Sequence, residues 1–220
     1  MIDCWLFDLD QTLYPASSRL FDQVSRRMGE FVADSLGIGV EEARVIQKRY
    51  YLNHGTTLSG MMLHHGTDPR HYLDYVHDID LSGLLPAPRL AELIAALPGR
   101  KIVFTNADTA YAQRVLAARG LAGLFQTIHD IEASGWHPKP HGHSYRTLEL
   151  AVGLDPCRTA YFEDLAINLA PAKQRGMTTI WIDEQDDMTS TLATPDYVDY
   201  RTPDLECWLE NWQRGTITDQ

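Results

Sequence analysis

Four short apolar runs, CWLF at 4–7, KIVF at 101–104, TAYF at 159–162 and TTIWI at 178–182, are rich in β-branched and aromatic residues. Between most of them lie helical patterns, such as Ala112, Val115 and Leu116 before Gly120, and Leu148, Ala151 and Val152 before Gly153. Apolar strands that alternate with amphipathic helices form a parallel sheet covered on both faces. The pattern predicts an α/β core.

One stretch breaks the alternation. From Ser17 to about Leu85 only helical signals occur: Leu20, Phe21, Val24, Met28, Phe31 and Val32 recur at 3.6-type spacing, and Gly37 reads as a stop. Asp68 followed by Pro69 reads as an N-cap and first helical position, with Tyr72, Leu73 and Val76 as the apolar face. The expected organisation is a core from 1–15 and 86–210, a helical insertion over 16–85, and a tail over 211–220 that carries little apolar pattern and frays.

Charge narrows the partners. With 19 Lys+Arg against 30 Asp+Glu the net charge is -11, which disfavours a nucleic acid polymer or an anionic membrane surface. A small anion can still bind where local cations offset the general field. No apolar run approaches the roughly 20 residues of a membrane span, so no membrane association and a cytoplasmic location are the expectation. Cys4, Cys157 and Cys207 are widely spaced and read as plain thiols. Oligomeric state is not legible.

The chemistry concentrates where the strands end. In LFDLDQTLYP, Asp8 and Asp10 lie two apart after the first apolar run, so strand alternation would aim both to one side. Two buried like charges repel and gain protons unless a cation is present. Thr105 and Asn106 follow the second run, Glu163 and Asp164 the third, and Lys139 sits between prolines in WHPKPH. Carboxyl ends of parallel strands form a common crevice. Acidic groups, one lysine and one hydroxyl gathered there suit a divalent cation held by hard oxygens, with a phosphoryl group completing the site.

The motifs FDLDQTLYP, FTN, PKP and FEDLAIN resemble, in order and rough spacing, those of the haloacid dehalogenase-like (HAD) superfamily of phosphohydrolases. The stretches YYLNHGTTLSGMMLHHGTDP and YVHDIDL resemble the helical cap of its pyrimidine 5'-nucleotidase-like branch. The resemblance implies a Rossmann-like parallel sheet with an inserted helical cap. It implies a phosphatase using Mg2+, in which Asp8 is the nucleophile that forms an aspartyl-phosphate and Asp10 the general acid and base. By the same resemblance Mg2+ is held by Asp8, the carbonyl of Asp10 and Asp164, with Glu163 orienting a metal-bound water. Thr105 and the N–H groups of Leu9 and Asn106 donate to phosphoryl oxygens, while Lys139 neutralises charge.

The implied substrate is a small phosphorylated metabolite, with a pyrimidine nucleoside 5'-monophosphate first. A sugar phosphate, pyridoxal phosphate, a mutase reaction and a non-catalytic phosphate-binding role are alternatives. A dehalogenase is disfavoured, because those relatives lack the second aspartate and need no metal. Within the cap, His64, His65, Tyr50, Tyr51, Thr56 and Thr57 are candidates for substrate contact, each weighed against helix packing or exposure. His137, His141 and His143 read as solvated loop residues, Asn168 as the N-cap of a helix carrying Pro171 in its first turn, and Gln11 as a loop residue without effect on the chemistry.

Overall fold

A computed structural model describes residues 2–184 and 193–217. Its sheet is entirely parallel, with strand order β3-β2-β1-β4-β5-β6. Strands β1 (Cys4–Phe7), β2 (Arg100–Phe104), β4 (Thr159–Glu163) and β5 (Thr178–Ile182) fall on the four apolar runs. Two outer strands, β3 (Thr127–His129) and β6 (Tyr200–Thr202), are three residues each and give no periodic signal of their own. This is the α/β, Rossmann-like arrangement expected from the alternation.

The central strand shows why the runs are apolar throughout. Alternation sends Trp5 and Phe7 to one face, where Val103, Phe162, Ile180 and Trp208 bury them. Cys4 and Leu6 face the other way, against Ile102, Phe104, Tyr145 and Tyr161. Phe7 and Phe162 stack with ring centroids 4.8 Å apart. Each such buried side chain contributes about 1.5–3 kcal/mol, so a polar residue on either face of β1 would be costly.

After β1 come four helices that form the insertion: α1 (Leu20–Leu36), α2 (Val40–His54), α3 (Thr57–His65) and α4 (Pro69–Val76). Gly37 ends α1 in the left-handed conformation, and Asp68 caps α4 by accepting from Arg70 N, as the residue types dictate. Phe31, Val32, Ala43, Tyr50, Leu58, Met61 and Val76 form a buried cluster among these helices, joined by Ile131 from the loop after β3. Close approach of α2 and α3 depends on Gly60, where an added Cβ would lie 2.2 Å from Tyr50 Cγ. Among the described residues no helix is long and apolar enough to cross a membrane.

Helices α5 (Pro88–Ala96), α6 (Thr109–Ala118), α7 (Gly142–Val152), α8 (Ala166–Gln174) and α9 (Leu205–Gln213) cover the sheet. Two expectations fail here. The stripe Leu205, Trp208, Leu209 continues into Trp212, which meets Trp5 edge-on at 5.2 Å and stacks on Trp208. A boundary at 211 therefore cut an apolar helix face, and only 214–217 follow the helix among the described residues. Helix α8 begins at Ala166, so Asn168 lies inside it, buried, with its carbonyl accepting from the Tyr145 hydroxyl. Pro171 stands within the helix, past its first turn.

Candidate active site

Strands β2, β1 and β4 are neighbours, with Phe7 in register with Val103 on one side and Phe162 on the other. Their carboxyl ends therefore lie together, and Asp8, Thr105, Glu163 and Asp164 emerge within one crevice. Asp8 N donates to Phe162 O at 2.9 Å, extending the strand pairing by one bond and fixing the start of the loop.

Lys139 reaches this point from the loop before α7. Its ammonium is buried and donates to Asp8 Oδ1 at 2.6 Å, Glu163 Oε2 at 2.7 Å and Phe104 O at 2.9 Å, with the Tyr161 hydroxyl at 3.0 Å. Asn106 secures the loop reciprocally: its Oδ1 accepts from Lys139 N at 2.8 Å, and its Nδ2 donates to Lys139 O at 3.3 Å. The side chain of Asn106 thus positions the lysine. Its own N–H and that of Leu9 make no hydrogen bond among the described residues.

Charge is unbalanced. Asp8, Glu163 and Asp164 each offer a carboxylate oxygen, and all three lie within 4.8 Å of one another. Burial would raise Glu163, but the Lys139 charge and hydrogen bonds to Glu163 overcome it and hold the carboxyl below its ordinary range. Burial, with the Glu163 charge, pushes Asp8 up to about 8 despite Lys139. Burial and the charges of Glu163 and Asp8 push Asp164 up to about 10. Burial would lower Lys139, yet Asp8 and Glu163 raise it, so the ammonium stays charged. One lysine cannot neutralise three carboxylates, and a set of hard oxygens this close fits a divalent cation such as Mg2+.

Asp10 departs from the expected geometry. Strand β1 ends at Phe7 and the chain turns, so alternation no longer aims Asp10 beside Asp8. Its Oδ1 accepts instead from the hydroxyls of Tyr14 at 2.6 Å and Tyr111 at 2.9 Å. Burial raises Asp10, opposed by the Tyr14 hydrogen bond, His77 and Tyr111. Gln11 also differs from expectation: with φ of 59° it lies in the left-handed region and donates to Asp164 Oδ2 at 3.1 Å, touching the acidic cluster.

These groups line one side of a cleft of about 1120 Å³, whose other walls come from the helical segment. Thr105 is buried there, its Oγ1 accepting from Ala107 N at 3.0 Å. Of the helical candidates, Tyr51, Thr56 and Thr57 line the cleft, and Thr56 also caps α3. Tyr50, His64 and His65 do not line it: Tyr50 is buried among the helices and bonded to His65 at 2.7 Å, and His64 faces His54 at 3.0 Å. His137, His141 and His143 are exposed, and His141 serves as the cap of α7. Tyr14, Tyr111 and His77 went unmarked in the sequence, since buried aromatics carry no signal that separates packing from a site.

Residues 2–176 match the family model of haloacid dehalogenase-like hydrolase. Phosphate metabolism protein 8 of Saccharomyces cerevisiae is 27% identical over 190 residues, covering 79% of this chain and 59% of that protein. The chain thus spans about three-fifths of that relative's length. Among solved structures, the HAD phosphatase from Thermococcus onnurineus superposes with a TM-score of 0.63 at 18% identity over 98% of both chains. L-2-haloacid dehalogenase from Xanthobacter autotrophicus superposes with a TM-score of 0.61 at 18% identity, over 97% of this chain and 99% of that one. At such identities the likeness concerns the fold.

Proposed function

The chain belongs to the haloacid dehalogenase-like hydrolases, and from that premise we propose that it is a phosphomonoesterase with Asp8 as nucleophile. The observation that carries this reading is the convergence of Asp8, Lys139, Glu163 and Asp164 along one side of a cleft that Asp10 also lines. The Asp8 carboxylate attacks phosphorus; its new O–P bond forms as the ester P–O bond breaks. The bonding pair stays with the leaving oxygen, which takes a proton from Asp10. Asp10, now a carboxylate, removes a proton from water as that water attacks the aspartyl-phosphate and frees phosphate and Asp8.

Lys139 holds Asp8 in place and lowers the charge that an incoming phosphoryl group meets. In this reading Thr105, with the amides of Leu9 and Asn106 that make no hydrogen bond among the described residues, donates to phosphoryl oxygens; Thr105 and Asn106 line the cleft. Mg2+ would be held by Asp8, Asp164 and the Asp10 carbonyl, with Glu163 alongside, and would supply Lewis-acid stabilisation of phosphoryl charge. Residues 16–85 act in this reading as a cap that limits access and excludes water.

For substrate, we propose a nucleoside 5'-monophosphate, pyrimidine first, because the cleft has room for a nucleoside beyond the carboxylates and presents the Tyr51 ring. The alternative is another small phosphometabolite. Mg2+-dependent release of phosphate from an aryl phosphate, abolished by chelation and by Asp8→Asn, is the expected result; undiminished turnover by Asp8→Asn overturns the assignment. UMP and CMP are expected to exceed sugar phosphates and pyridoxal phosphate in kcat/KM, and equal rates remove the nucleotidase reading.

A further inference from the structure

We propose that Tyr14 and Tyr111 are positioning residues for Asp10, anchoring its Oδ1 so that Oδ2 carries the proton to the leaving oxygen. This rests on the reading of Asp10 as general acid. Both hydroxyls donate to the same oxygen, at 2.6 and 2.9 Å, while Oδ2 makes no hydrogen bond among the described residues. A carboxyl group held at one oxygen by two donors loses its freedom to rotate, and its other oxygen becomes the one available to the cleft that Asp10 lines.

The tyrosines are themselves fixed. Each is 1% exposed, and burial beside Asp10 raises both phenols far above the ordinary range, so they remain donors. Tyr14 follows a turn closed by Leu13 N donating to Leu9 O at 3.0 Å. Tyr111 N donates to Asp108 Oδ1 at 2.8 Å in the first turn of α6. Its ring stacks on His77, with centroids 4.1 Å apart and planes 10° apart. His77 follows α4, and its Nδ1 is bonded to the second oxygen of Asp108. Arg114 donates to the His77 carbonyl at 3.1 Å. Asp108 therefore grips Tyr111 through the backbone and through the ring stacked on it. The orientation of Asp10 is tied in this way to His77, the residue that ends α4.

In the first step the Asp10 Oδ2–H bond breaks, the proton passes to the ester oxygen as that oxygen takes the pair of the breaking P–O bond, and Asp10 is left a carboxylate. Proton donation matters most for poor leaving groups, and this separates positioning from packing. The test measures kcat/KM with Mg2+ for aryl and alkyl phosphates of rising leaving-group pKa, on the unaltered protein, Tyr14→Phe, Tyr111→Phe and Asp10→Asn. General acid catalysis contributes about 10²–10⁴-fold, so loss of one anchoring donor is expected to cost about tenfold on alkyl esters and under about twofold on a nitrophenyl ester. The dependence on leaving-group pKa steepens in either tyrosine variant. An equal loss across the series, or none, in a variant with unaltered circular dichroism overturns the proposal. Asp10→Asn separates the two readings: if it leaves the dependence unchanged, Asp10 is not the acid and both fail; if only it steepens the dependence, the tyrosine assignment alone fails.

Discussion

Binding of Mg2+ is expected to expel protons. Without a cation, Asp164 is pushed to about 10 and Asp8 to about 8, from an ordinary value of 3.8 for each, while Glu163 stays ionised. Near pH 7 the folded, cation-free protein therefore holds protons that the unfolded chain has released. Carboxyls raised on folding destabilise the fold above their unfolded value, and the penalty grows until pH passes the folded value. For Asp164 that window runs from about 4 to about 10. Asp8 keeps the direct Lys139 contact, so the firmer contribution is Asp164's. One proton corresponds to about 1.4 kcal/mol of stability per pH unit, and to about tenfold in cation affinity per unit. Calorimetric titration with Mg2+ at pH 7 in buffers of different ionisation enthalpy measures the protons released. One or more is expected, with affinity rising about a hundredfold from pH 6 to 8. Affinity that ignores pH, with no proton release, refutes the reasoning, and Asp164→Asn is expected to lose most of the release.

Lys139→Met leaves Asp8 and Glu163 buried without their shared ammonium, and removing one partner of such a network costs about 3–5 kcal/mol. Urea unfolding is expected to show that loss at pH 7, and a change under about 1 kcal/mol would discount the network. Gly60→Ala drives a methyl against the Tyr50 ring, and overpacking of this kind costs about 1–3 kcal/mol, read as a lower Tm. Tyr51→Ala is expected to raise KM for nucleotides about fivefold at unchanged kcat, the effect of losing about 1 kcal/mol of uniform binding; an unaltered KM removes Tyr51 from substrate contact.

The parts legible in the sequence are those where one residue type has one physical use. Trp5, Leu6 and Phe7 are buried on two faces, so their run marks a strand in any reading. Asp68-Pro69 and Gly37 mark helix ends for equally local reasons. The edge strands were hidden because three residues cannot display a period. Trp212 was missed because a tail judged from 211 onward discards the three preceding members of its stripe. At the site, the convergence of Asp8, Glu163 and Asp164 followed from strand ends, whereas Lys139 was read from its place between prolines in a loop. The partners of Asp10 did not, because a turn replaced the strand alternation and Tyr111 approaches from 101 residues away. Gln11 was dismissed for a similar reason: its contact with Asp164 spans 153 residues and has no local signature.

The covalent role proposed for Asp8 is tested most directly by trapping. Enzyme turning over an aryl phosphate with Mg2+ is quenched in acid, treated with borohydride, which reduces an acyl phosphate to the alcohol, digested and mapped by mass spectrometry. Reduction confined to the peptide carrying Asp8, and absent without substrate, is the predicted result. Continued phosphate release with the Asp8 peptide unaltered and another residue modified would contradict the account.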